Sequence, residues 1–165
     1  MVRYSQVEVC SGKNLAMRKQ KFFQQISILP MLLILLSACS PEISDDPIPF
    51  VPFATIYVNL NLPAYQSLKT SGYVYIDGGV RGILLHRLNS TTYVSYERNC
   101  SFQPNDACAT VEMHVSNLYI FDACCNSSFN LSNGEPSSGP AWRPLRQYRT
   151  TLSGTDVIIT DDIVN

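Results

Sequence analysis

The chain has 165 residues, 45% of them hydrophobic, and a formal net charge of −1. After any leader, that length suffices for one domain and not two. With 12 basic residues against 13 acidic ones, and no basic cluster beyond the leader, composition argues against a nucleic-acid partner.

The first segment reads as targeting sequence. Met17 precedes Arg18, Lys19 and Lys21, and an apolar run fills residues 26–36. The run is too short to span a membrane with confidence. A charged start, an apolar middle and small residues after it make a secretory leader over residues 17–38. Leu36-Ser-Ala-Cys39 closes it in the pattern of a bacterial lipobox, which is cut before the cysteine and lipidated on its sulfur. Residues 1–16 show no apolar period and read as an upstream extension, which leaves Cys10 without a structural role. Residues 39–52 form a polar, Pro-rich tether. Its Ser44-Asp45-Asp46 run resembles acidic surface-export signals of some lipoproteins, with an ordinary solvated linker as the equal alternative. The expected location is the cell envelope, lipid-anchored at Cys39, in the outer membrane and with surface exposure in view. The expected partners are the membrane and an envelope protein.

Residues 53–165 read as all-β. Residues 54–62 alternate with period two and predict a strand. Residues 62–70 predict a loop or a short helical turn. Strands follow over 72–77, 80–88 and 92–97, separated by Gly78-Gly79 and Asn89-Ser90. Residues 110–115 and 118–121 predict a hairpin around Ser116-Asn117. Residues 130–135 predict a hairpin turn. Residues 145–152 and 156–160 close the sheet around Ser153-Gly154, with Asp161-Asp162 as a solvated tail. Most of the tyrosines fall on one sheet face. Short antiparallel strands with frequent turns indicate a sandwich or small barrel.

Two segments carry more than a pattern. Asp122-Ala-Cys-Cys-Asn-Ser-Ser-Phe129, then Asn133-Gly134, then Ser138-Gly-Pro-Ala-Trp-Arg-Pro-Leu145, resembles the second cluster-binding loop and the proline loop of Rieske iron–sulfur domains. Arg98-Asn-Cys-Ser-Phe-Gln-Pro-Asn-Asp-Ala-Cys108 resembles the first loop. The resemblance covers roughly residues 55–160. It implies an antiparallel β architecture of three stacked small sheets, with two Cys-bearing loops at one tip. It puts Cys100, Phe102, Asp122 and Cys125 at the four ligand positions, and it puts Trp142 over the tip as a shield. A Rieske cluster takes two thiolates on one iron and two imidazoles on the other. The chain's two histidines, His86 and His114, stand outside the loops. The ligand set is therefore not retained, and no cofactor is expected, with a 2Fe-2S cluster as the family's ancestral group.

Four cysteines remain once Cys10 and Cys39 are set aside, and four allow three pairings. A bridge between the neighbours Cys124 and Cys125 is badly strained, so two pairings stay open. The resemblance favours Cys108 with Cys124, as in high-potential Rieske domains. It then leaves Cys100 with Cys125 to replace the cluster as a cross-link. The crossed pairing is the alternative. A redox dithiol at Cys100 and Cys125, or a metal held by them with Asp122, are further readings of the same residues, the latter without a histidine to complete it. No catalytic residues and no resident metal are assigned. The expected function is a non-catalytic envelope lipoprotein with a binding or accessory role. The alternative is an electron-transfer or thiol-redox protein using the same tip.

Overall fold

A computed structural model of the chain describes residues 46–165. The leader, Cys39, Cys10 and the tether as far as residue 45 lie outside the described residues. Among the described residues no helix is long and apolar enough to cross a membrane.

Ten strands make up the domain: β1 (Ile56–Asn59), β2 (Tyr73–Ile76), β3 (Ile83–Arg87), β4 (Tyr93–Glu97), β5 (Glu112–Met113), β6 (Ile120–Asp122), β7 (Ser127–Phe129), β8 (Pro136–Ser138), β9 (Gln147–Ser153) and β10 (Asp156–Ile163). A 3-10 turn (Pro63–Tyr65) and a one-turn helix α1 (Ser67–Thr70) join β1 to β2. All strand pairs are antiparallel. They form a six-stranded sheet in the order β1-β10-β9-β4-β3-β2 and a four-stranded sheet in the order β5-β6-β7-β8.

The larger sheet consists of two three-stranded halves. Their seam, between β4 and β9, has only the register pairs Ser95↔Tyr148 and Tyr96↔Gln147. The three small sheets implied by the family resemblance thus correspond to two halves and a separate third sheet.

Side-chain alternation along β3 explains the core. Ile83 and Leu85 face one way and Leu84 the other, and all three are fully buried. Leu84 joins Val94, Tyr96, Cys100, Phe102, Ile120, Phe129 and Leu145 in a core between the two sheets. Ile83 and Leu85 join Val58, Leu68, Tyr93, Tyr148, Val157 and Ile159 in a second core. Both halves of the larger sheet contribute to this second core, so the sheet curls around it.

Three local expectations are corrected. The segment after β6 is a tight hairpin turn, and β7 and β8 flank the expected hairpin turn at 130–135 as strands in segments read as loop; these strands are three residues each, too short to show a period. β10 runs on through Asp161 and Asp162, where Asp162 Oδ2 lies 3.3 Å from Arg149 Nε. The tyrosines divide between both cores, with Tyr73 and Tyr96 in one and Tyr93 and Tyr148 in the other, while Tyr57 is exposed.

Candidate functional site: a cysteine-bearing tip

The first loop leaves β4 at Arg98 and returns at Thr110. Its neck is closed by the Asn99↔Thr110 bridge and by the Cys100 N–H to Ala109 carbonyl bond of 3.1 Å. Arg81 holds its far end. The guanidinium donates to Asn99 Oδ1 at 2.5 Å, to the Ala107 carbonyl at 2.7 Å and to the Asp106 carbonyl at 2.5 Å. The backbone of Arg81 is itself fixed, because its N–H donates to the buried Glu97 carboxylate at 3.0 Å. Glu97 also accepts from the Val80 N–H at 2.8 Å, the Asn99 N–H at 3.1 Å and the Tyr148 hydroxyl at 2.8 Å. A buried carboxylate needs such partners, and this one anchors the root of the first loop.

The second loop is the turn between β6 and β7. Asp122 Oδ1 accepts the Cys124 N–H at 2.7 Å, and the Asp122 carbonyl accepts the Asn126 N–H at 2.8 Å. Asn126 takes the left-handed conformation at φ 59° that the turn requires. The side chains alternate from there. Cys124 is exposed and Cys125 points inward, half-buried.

The proline loop packs on both. Gly139, at φ 86°, lies so close that a Cβ there would sit 2.5 Å from Ser127 Cα. Ala141 is buried, and its N–H donates to Ser127 Oγ at 3.0 Å. Arg143 donates to the Ser101 carbonyl at 3.0 Å, and the Ser101 hydroxyl donates back to the Arg143 carbonyl at 2.7 Å. Trp142 is half exposed, with the Arg143 guanidinium 5.0 Å from its ring centroid. The expected shield is therefore Ala141 and not Trp142. Alternation in an extended loop allows only one of two neighbours to face inward.

The sulfurs sort by side. A disulfide joins the exposed Cys108 and Cys124, whose Cα atoms are 5.6 Å apart. Cys100 and Cys125 face inward as thiols, with their sulfurs 3.9 Å apart. A second bridge was expected between them, and in this structure that bond is not made. The Cys125 thiol donates to Ser127 Oγ at 3.1 Å. Burial pushes the Cys100 thiol far above its ordinary range, the adjacent Asp122 carboxylate adds to this, and a backbone hydrogen bond from Phe102 opposes it.

Asp122 completes the group. It is fully buried, and its Oδ2 has no hydrogen-bond partner among the described residues. One donor atom each from Cys100, Asp122 and Cys125 lie within 4.8 Å of one another. The four positions that the resemblance marked as former ligands therefore divide. Three converge, and Phe102 packs into the core between the sheets instead. His86, on β3, and His114, stacked on Tyr119 with ring centroids 4.2 Å apart, belong to other surroundings. Sequence reasoning missed the roles of Arg81, Glu97 and Arg143. A single charged residue in a strand or loop carries no local signal of burial or of its carbonyl partners.

A 2Fe-2S cluster does not fit these residues. No imidazole reaches the tip, and a phenyl ring occupies one ligand position. The 3.9 Å between the two sulfurs is the span of two ligands on one ion. It is not the longer span of ligands on two different irons.

No protein-family model matches the chain, nor does any curated protein. Solved structures do resemble it, among them these three. The plasma-membrane Rieske protein PetC3 of the cyanobacterium Synechocystis PCC 6803 is 21% identical, with a TM-score of 0.48 over 59% of this chain and 94% of that one. A complex of reduced oxygenase and oxidized ferredoxin in carbazole 1,9a-dioxygenase gives 15% identity and a TM-score of 0.43 over 56% of this chain and 83% of that one. The ferredoxin of carbazole 1,9a-dioxygenase from Nocardioides aromaticivorans IC177 gives 16% identity and a TM-score of 0.40 over 67% of this chain and 96% of that one. At these levels the matches carry no argument of their own. The antiparallel β arrangement with cysteines at the tip loops is seen in the structure itself, and it is the arrangement that the loop residues indicated.

Proposed function

We propose that the chain is a lipid-anchored cell-envelope protein whose Rieske-like domain works as a non-catalytic binding or accessory module. The observation that carries this reading is the donor set at the tip. Phe102 is packed into the core where a cluster ligand would stand, and Asp122 and Cys125 replace the other two groups. The tip is rigid without a cluster, because the Cys108–Cys124 bridge, Arg81 and Arg143 tie the loops together. Anchoring rests on the Leu36-Ser-Ala-Cys39 pattern, and it favours the outer membrane with an envelope protein as partner.

The full chain, purified without oxygen, should be colourless and should hold neither iron nor acid-labile sulfide. Stoichiometric amounts of both would overturn the reading. In the same preparation Cys39→Ala should leave the membrane fraction; an unchanged distribution would remove the anchor.

A second reading is favoured by the two unbonded inward sulfurs at 3.9 Å. Cys100 and Cys125 would then be a redox pair, giving two electrons and two protons to a partner's disulfide and becoming a disulfide themselves. Thiol titration of the anaerobic and the oxidised protein separates this reading from an inert pair.

A further inference from the structure

We infer that Cys100, Cys125 and Asp122 form a binding site for a single thiophilic divalent cation of the zinc class. This goes beyond the accessory role proposed above and does not require it.

Three observations support the site. The first is spacing. Zinc binds thiolate sulfur at about 2.3 Å in a tetrahedral array, so two sulfurs on one ion stand about 3.8 Å apart. Cys100 and Cys125 are at 3.9 Å. Their separation is already one edge of a tetrahedral coordination sphere, set by two loops that the outer disulfide holds in place.

The second is the orphaned oxygen. Oδ1 of Asp122 is used by the Cys124 N–H, which fixes the carboxylate plane. Oδ2 is buried, and no hydrogen bond of normal geometry reaches it; the carboxylate's neighbour is the Cys100 thiol, whose proton a cation would replace. Native structures rarely leave a buried carboxylate oxygen unmatched, and a bound cation is one of the standard reasons. One carboxylate oxygen of Asp122 lies within 4.8 Å of both sulfurs, so small side-chain rotations close the triangle.

The third is the support around the donors. Ser127 Oγ contacts the Cys125 sulfur at 3.1 Å and is itself held by the Ala141 N–H at 3.0 Å. Groups of this kind orient ligands in established metal sites. Cys100 is fully buried while Cys125 is half-buried, so the site has an outer side through which an ion can enter. Three protein ligands leave a fourth position for water or an external donor. On binding, the two thiols release their two protons to solvent, leaving two thiolates, a carboxylate and the dication.

The test uses the full chain in a Cys10→Ser, Cys39→Ser background, so that no leader thiol competes. Kept without oxygen and given Zn2+, it should retain one equivalent through gel filtration. Co2+ in its place should give a thiolate-to-cobalt charge-transfer band. Asp122→Asn, which keeps the shape and the Cys124 contact, should weaken zinc roughly tenfold or more. Cys125→Ser should weaken it as well and diminish the cobalt band. Far-ultraviolet circular dichroism and an intact Cys108–Cys124 bridge establish that each variant is folded. The inference fails if the folded parent with two free thiols retains no zinc, or if Asp122→Asn binds as tightly as the parent. It fails also if zinc persists in a Cys100→Ser, Cys125→Ser variant. Failure here, without iron or sulfide, leaves the accessory reading standing; iron with sulfide overturns both.

Discussion

Glu97 shows how one residue can organise a loop that it does not enter. Its carboxylate collects three backbone N–H groups and the Tyr148 hydroxyl, at 2.8 to 3.1 Å. Glutamine has the same shape but turns an amide toward donors, leaving at least one of them unmatched in the interior. Glu97→Gln should therefore cost about 1–3 kcal/mol, read as a lower midpoint in urea with an unchanged slope. Gly79 belongs to the same arrangement. It sits at φ 63°, and a Cβ there would come within 2.9 Å of the Tyr148 hydroxyl oxygen. Nothing local in Gly78-Gly79 or in Tyr-Val-Ser-Tyr-Glu97 reveals that these two segments meet. The charged residue at the end of an apolar strand reads as solvent-facing until the turn folds over it.

Among the elements, the two cysteine loops were legible, as was the β5–β6 hairpin in outline, whereas β7 and β8 were not. Cys108 with Cys124 came from a family likeness, and the structure has that bridge with 16 residues of separation. Alternation along the extended loop puts Cys124 and Cys125 on different sides. What stayed hidden was the hairpin of β6 and β7, because three residues per strand give no repeat to read. The proline loop was legible as a motif, but which of Ala141 and Trp142 faced inward was not. That choice depends on Gly139, whose close approach to Ser127 sets the register of the loop. The bridge should matter to stability in proportion to the loop it closes. Removing it as Cys108→Ala, Cys124→Ala should cost roughly 3 kcal/mol in the chain-entropy picture. Thermal unfolding of the two forms under non-reducing conditions measures this. A loss well below 1 kcal/mol would mean that Arg81 and Arg143 alone hold the loops.

Over the whole molecule, side chains fasten segments that backbone pairing does not reach. Arg146 donates to the carbonyls of Pro49 and, at 2.7 Å, of Ile48; Arg143 reaches the Asp46 carbonyl at 2.7 Å. The part of the expected tether within the described residues is thus bound to the domain. The seam between β4 and β9 follows the same rule. Beside its two register pairs it has the Glu97 N–H to Arg146 carbonyl bond of 2.9 Å, the Tyr148–Glu97 bond and the Ser95–Thr150 hydroxyl pair at 2.6 Å.

That seam gives the molecule a line of weakness with a chemical address. A ladder many bonds long opens only when the whole fold does, whereas a short one can fray locally. Here the second core lies across the line and holds the two halves together, while the rungs most easily removed are hydroxyls, so the fraying can be adjusted without touching that packing. The consequence lies in time rather than in shape. Amide protons near the seam would exchange with solvent ahead of those in the middle of β3. A chain lacking the Tyr148 and Ser95 hydroxyls would breathe along this line while its average structure stayed the same.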